Sequence, residues 1–140
     1  MTREAIVELF HRWHEAADRR DVPAIIGLYA DTCIVESPAG GAVTGRAAIA
    51  EIFAAFYKGF PDFKLTTGEM LIDGDQVAQI GTLTGTDTGG FMGIPATGKP
   101  FRLPIVVLYT VKDGLILHER RIYDFTGMLV QVGILKAKPV

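Results

Sequence analysis

The stretch FRLPIVVLYTVKDGLILHERRIY, residues 101–123, reads as two β-strands joined by a tight turn. Residues 101–112 and 115–123 are rich in β-branched and aromatic side chains, and Asp113-Gly114 between them suits a hairpin turn. The preceding segment repeats the pattern, with residues 64–72 and 76–85 flanking Asp73-Gly74-Asp75. Four long antiparallel strands are therefore expected in the second half of the chain. Between the two hairpins, residues 85–100 hold Gly85, Gly89, Gly90, Gly93, Pro95, Gly98 and Pro100, a density expected of a mobile loop lying over a pocket as a lid. It is no phosphate cradle, because Gly98-Lys99 runs into Pro100 and a strand rather than onto a helix.

The first half reads as helix. Thr2 is placed to cap a helix in which Ile6, Phe10, Trp13 and Ala17 recur at helical spacing, with Glu4, Glu8, Arg12 and Glu15 outward. Asp21 before Val22-Pro23 signals a second, shorter helix that ends near Ala30. Cys33, Ile34 and Val35 form a short strand ending at Ser37-Pro38, and residues 39–41 a loop. A third helix runs from Thr44 or Gly45 to Gly59, ahead of Pro61. A closing helical turn covers residues 125–132. Helices and antiparallel strands segregated along the chain predict an α+β class: three N-terminal helices packed on a curved antiparallel sheet, whose interior suits a small apolar ligand.

A chain of 140 residues is the size of one domain, residues 1–140, and 49% hydrophobic composition is enough for a substantial core. Lys plus Arg number 14 against 16 Asp plus Glu, a net charge of −2 without the basic excess of a nucleic-acid binder. No apolar run reaches the roughly 18 to 20 residues of a membrane span. The single Cys33 has no partner for an internal disulfide and no secretion signal opens the chain, so a cytoplasmic protein is expected.

Several motifs occur in fixed order: Thr44-Gly45-Arg46-Ala47-Ala48-Ile49, Phe60-Pro61-Asp62, Gly85-Thr86-Asp87-Thr88-Gly89, residues 91–99 (FMGIPATGK), and Asp124 followed by Leu129, Gln131 and Gly133. Together they resemble the SnoaL-like polyketide cyclases of the nuclear transport factor 2-like superfamily. The resemblance runs over nearly the whole chain, and residues 85–99 are its most specific piece. It implies a cone-shaped fold and an intramolecular aldol condensation, in which a carboxylate removes a proton next to a carbonyl and the enolate closes a ring. The superfamily also holds ketosteroid isomerases and epoxide hydrolases, and a binding module without turnover is the alternative from another class. The resemblance assigns the acid/base role to Asp124. Asp87 stands where many members have His, Ile80 where Arg is frequent, and Thr110 where a second basic residue is common.

Beside the catalytic reading, Asp124 suits the N-cap of the last helical turn. By strand alternation it shares a face with Ile122, Arg120 and His118, while Tyr123, Arg121 and Glu119 face the other way; a bulge would exchange the sets. One of Arg120 and Arg121 is expected to face the cone interior or a protein interface and the other solvent, and an interior Arg is suited to steady an enolate; Arg120 is the candidate for substrate binding. Trp13, Tyr29, Tyr57 and Phe91 are candidate walls, and Glu36 a polar residue at the cavity mouth. His118 beside Glu119 is a candidate for proton transfer. His11 and His14 lie three apart on the first helix, but no third ligand completes a metal site, and neither metal nor cofactor is expected. The expected ligand is a small, mostly apolar carbonyl compound. A homodimer is expected to cover the outer face of the sheet, which carries Leu103, Ile105, Val107 and Tyr109 or their alternates.

Overall fold

A computed structural model describes residues 1–136. The elements run α1 (Arg3–Asp18), α2 (Val22–Ile26), β1 (Tyr29–Ser37), β2 (Gly41–Thr44), α3 (Arg46–Gly59), β3 (Lys64–Asp73), β4 (Gln76–Thr86), β5 (Pro100–Lys112), β6 (Leu115–Tyr123) and α4 (Phe125–Gln131). Among the described residues the strands form one curved, unclosed six-stranded sheet in the order β2-β1-β6-β5-β4-β3, with α1 to α3 packed on its concave side. Every neighbouring pair is antiparallel except β1 and β6, which run parallel because α3 and the β3–β5 meander separate them in the chain. The class is α+β, as expected from the sequence.

The caps follow local chemistry. The Thr2 hydroxyl accepts the Ala5 amide at 3.1 Å, and the Asp21 carboxylate accepts that of Ala24 at 3.1 Å. Two boundaries differ from expectation. The second helix ends at Ile26 rather than near Ala30, and β1 begins at Tyr29, because Tyr29, Ala30 and Cys33 are recruited to the core. The expected loop at residues 39–41 is a turn, and Gly41–Thr44 pairs back on β1 to form a further antiparallel hairpin. That edge strand is mostly exposed and has no apolar alternation by which to recognise it.

Along β5 the inward positions are Phe101, Leu103, Ile105, Val107 and Tyr109, all buried. The register sets Tyr109 opposite Glu119, Val107 opposite Arg121 and Ile105 opposite Tyr123, so these three residues of β6 share the inner face. An irregularity between Thr110 and Val111 absorbs one residue of β6, which is why Ile116 and Glu119, three apart, are both buried. Each fully buried large side chain of this core contributes roughly 1.5 to 3 kcal/mol of transfer free energy. Among the described residues no helix is long and apolar enough to cross a membrane.

Candidate functional site

Trp13 of α1, Phe53 and Phe56 of α3, and Val107 of β5 wall a narrow cavity of about 40 Å³ between helices and sheet. Its volume accepts roughly three waters. Glu119 and Arg121 enter it from β6, neighbours on one strand face and opposite in charge. The Arg121 Nε donates to one Glu119 oxygen, and the Tyr29 hydroxyl donates to the other. Tyr29 in turn accepts the Trp13 indole N–H at 3.0 Å. Arg46 holds the backbone of Tyr29 in place, donating from Nε to its carbonyl at 2.7 Å. Four side chains from α1, β1 and β6 thus form one chain of hydrogen bonds in an otherwise apolar enclosure.

The electrostatics follow from burial. Desolvation, reinforced by the Glu119 charge, holds Tyr29 and Tyr109 well above the usual phenol range, so both remain neutral donors. Burial by itself would lower the pKa of Arg121, but the Glu119 carboxylate outweighs it and raises the value, keeping the guanidinium charged. That guanidinium lies over the Phe53 ring, its carbon 4.9 Å from the centroid. Its Nε is committed to Glu119, its Nη groups have no protein acceptor among the described residues, and the residue lines the cavity.

The residues proposed from the sequence divide between this cavity and other places. Trp13 is in its wall and Tyr29 hydrogen-bonds its carboxylate. Asp124 is elsewhere: it is exposed, caps α4, and accepts the Gly127 amide at 2.8 Å. The acid on the cavity is Glu119 in its place. The interior arginine is Arg121, not Arg120, because the irregularity in β6 lies before Glu119 and leaves the alternation from Glu119 to Tyr123 intact. Arg120, Glu36 and His118 meet on the opposite face, with His118 Nε2 2.6 Å and Arg120 Nε 3.6 Å from the same Glu36 oxygen. Tyr57 stacks on Phe53 behind the wall, 6.4 Å between centroids.

Phe91 packs against Phe56 and Phe60, each at 5.1 Å, and none of residues 85–99 lines the cavity. This segment is stapled down rather than draped as a lid. Fully buried Asp87 accepts the Gly90 amide at 3.2 Å and the Thr97 amide at 3.1 Å, and the Thr97 hydroxyl donates to the Val132 carbonyl at 2.6 Å. Gly89 lies so close to the end of α3 that a Cβ there would stand 1.8 Å from the Lys58 carbonyl oxygen. Ile80 and Thr110 sit on the outer face, so neither departure from the family pattern touches the cavity.

His14 is held below its usual pKa by burial, partly offset by its bond to Gln79 at 3.2 Å. His11 pairs with Glu15 at 3.1 Å. No group of three or more metal-ligating side chains occurs among the described residues. The Glu119–Arg121 pair is the feature the sequence reading missed as a unit; its signal is two opposite charges at i and i+2 facing the side of β5 that carries Val107 and Tyr109.

The SnoaL-like polyketide cyclase family model matches residues 7–132. The chain belongs to this family. A search of curated proteins finds no match. Among solved structures, the hydroxylase candidate AclR from Streptomyces galilaeus is similar at 26% identity and a TM-score of 0.80, over 94% of this chain and 83% of that one. IdmH from Streptomyces antibioticus, a polyketide cyclase candidate, is similar at 26% identity and a TM-score of 0.77, covering 91% and 97%. A SnoaL-like polyketide cyclase candidate from Jannaschia sp. CCS1 shares the fold at 23% identity and a TM-score of 0.84, covering 97% and 94%. Family membership supports a cyclase-type role on a small molecule.

Proposed function

We propose that this SnoaL-like chain binds a neutral, mostly apolar carbonyl compound in the cavity and removes a proton from the carbon beside the carbonyl, with no cofactor. Glu119 takes the proton, and the Nη groups of Arg121 hold the oxygen on which charge develops. The observation that carries this reading is that Glu119 is the one carboxylate lining the cavity among the described residues, next to a guanidinium whose Nη groups have no protein acceptor. As the C–H bond breaks, the proton passes to the carboxylate and the electron pair to the enolate. Charge then moves from Glu119 to the enolate oxygen while Arg121 stays cationic, so the site is neutral before and after. A ligand that placed its own carboxylate here would add an unpaired buried charge. Attack of the enolate carbon on a second carbonyl of the same molecule closes the ring, and Glu119 returns its proton to the alkoxide.

The test uses 2-acetylnaphthalene in heavy water, with deuterium uptake at its methyl carbon followed by proton NMR. The parent protein is expected to accelerate uptake, and Glu119→Gln to lower the acceleration by about 10² to 10⁴. Full exchange in Glu119→Gln overturns the assignment. A second reading, a binding module without turnover, is favoured by one observation: both Glu119 oxygens are already engaged, by Tyr29 and by Arg121. Binding of the ketone with no exchange above buffer selects that reading.

A further inference from the structure

At about 40 Å³ the cavity is far smaller than the ~300 Å³ or more of a typical small-molecule site, so a wall must move for a ligand to be seated. Its lining rests almost wholly on α1, α3 and the strands β3 to β6, which hydrogen-bond ladders and core packing fix in place. Among the described lining residues Phe63 is the one outside a helix or strand, on the turn of residues 60–63 between α3 and β3. It is half-buried, with its ring 5.2 Å from that of Phe56 and 6.0 Å from that of Tyr57. The strand that follows is an edge of the sheet, paired on one side only.

Two ties hold this turn from opposite sides. On one, Arg20 donates from Nε to the Pro61 carbonyl at 2.7 Å and from Nη1 to the Asp18 carbonyl at 2.9 Å, with its guanidinium carbon 5.9 Å from the centre of the Tyr57 ring. Arg20 reaches there from a left-handed backbone conformation, φ 53°, which a non-glycine residue adopts at a cost. On the other, the Asp62 carboxylate accepts the Thr86 amide and hydroxyl, both at 2.7 Å. Both ties are solvent-exposed, where a hydrogen bond exchanges readily with water. Among the described residues the irregular piece of the cavity wall, Pro61 to Phe63 beyond the buried Phe60, is thus tied by solvent-exposed contacts, the arrangement expected of a gate.

We infer that the turn of residues 60–63 is the entrance to the cavity and that Phe63 sets the size of the ligand admitted; this rests on the cavity being the ligand site, as proposed above. Trp13 is the sole tryptophan and stands in the cavity wall, so its fluorescence reports occupancy directly. Stopped-flow quenching by 2-acetylnaphthalene is to be compared in the parent, Arg20→Gly, Asp62→Ala and Phe63→Ala. Glycine at position 20 removes the side chain while accepting the left-handed backbone.

Arg20→Gly and Asp62→Ala are expected to raise association and dissociation rates together by about three- to tenfold, with the Kd unchanged within twofold. Phe63→Ala is expected to bind the larger 2-acetylanthracene at least tenfold more tightly than the parent does. Quenching with unchanged rates in both tie variants overturns the gate and leaves the cavity reading intact. If Phe63→Ala does not fold, the two exposed tie variants decide by themselves. No quenching by the ketone in any variant removes the cavity as the ligand site, and the entrance with it.

Discussion

The Asp124 carboxylate accepts the amide of Gly127, and five residues earlier the Glu119 carboxylate accepts a tyrosine hydroxyl and a guanidinium inside the cone. Two acids near the end of one strand therefore have separate environments: one exposed at a helix N-terminus, the other buried beside an arginine. Asp124 does not line the cavity and its carboxylate is taken up in capping α4, so it is not placed to take a proton from a ligand held there. Asp124→Ala is expected to lower stability by about 1 kcal/mol in urea denaturation, while Asp124→Asn, whose amide oxygen also caps, changes it little. Ketone exchange is expected to stay within twofold of the parent in both variants. A loss comparable to that of Glu119→Gln would return the catalytic role to Asp124.

At the scale of elements, the glycine-rich segment between β4 and β5 is governed by one buried residue. Asp87 gathers two loop amides, and Thr97 ties the same loop to Val132 at the end of α4. The glycines that suggest a free lid instead allow close approach, as at Gly89 against α3. Asp87→Ala leaves the half-buried amides of Gly90 and Thr97 without their charged acceptor and is expected to cost about 1 to 3 kcal/mol. Hydrogen exchange should show the effect concentrated at Gly90 and Thr97 and spreading through residues 88–98. Unchanged protection there would show that the staple is not what orders the segment.

At the scale of the whole molecule, the outer face of the sheet has exposed apolar side chains with no intramolecular cover among the described residues. Leu103, Ile105, Val107 and Tyr109 point into the core, and their alternates face outward with Ile34, Leu71, Ile80 and Ile122, of which Leu71 is 57% and Ile122 53% exposed. Exposed apolar side chains set around the Glu36, His118 and Arg120 cluster favour self-association, and a symmetric pair is the simplest closed solution. Light scattering at micromolar concentration is expected to return twice the chain mass, and Ile122→Asp to return one chain mass by burying a charge in the contact. A parent protein of one chain mass would dismiss the dimer.

The sequence by itself determined the order of the helices and of every strand but β2, both Asp-Gly turns, the caps at Thr2 and Asp21, and family membership, because each is written in a few neighbouring residues or in a local period of two or 3.6. Trp13 was legible as a wall candidate for the same reason, since it lies on the apolar face of α1, whereas Tyr29, read on the second helix, lies on β1 and meets the site through its bond to Glu119. The tertiary structure alone decided that β1 lies parallel beside β6, which brings Tyr29 to Glu119 across 90 positions of sequence. It decided that Arg121 rather than Arg120 faces inward, since the irregularity opposite Val111 sets the phase of β6 and has no mark in the sequence. It also decided that Glu36 meets His118 on the outer face, and that Arg20 and Asp62 secure one turn from two sides. Those outcomes depend on register and on contacts between distant segments, which follow from how the whole core packs rather than from any one stretch of residues.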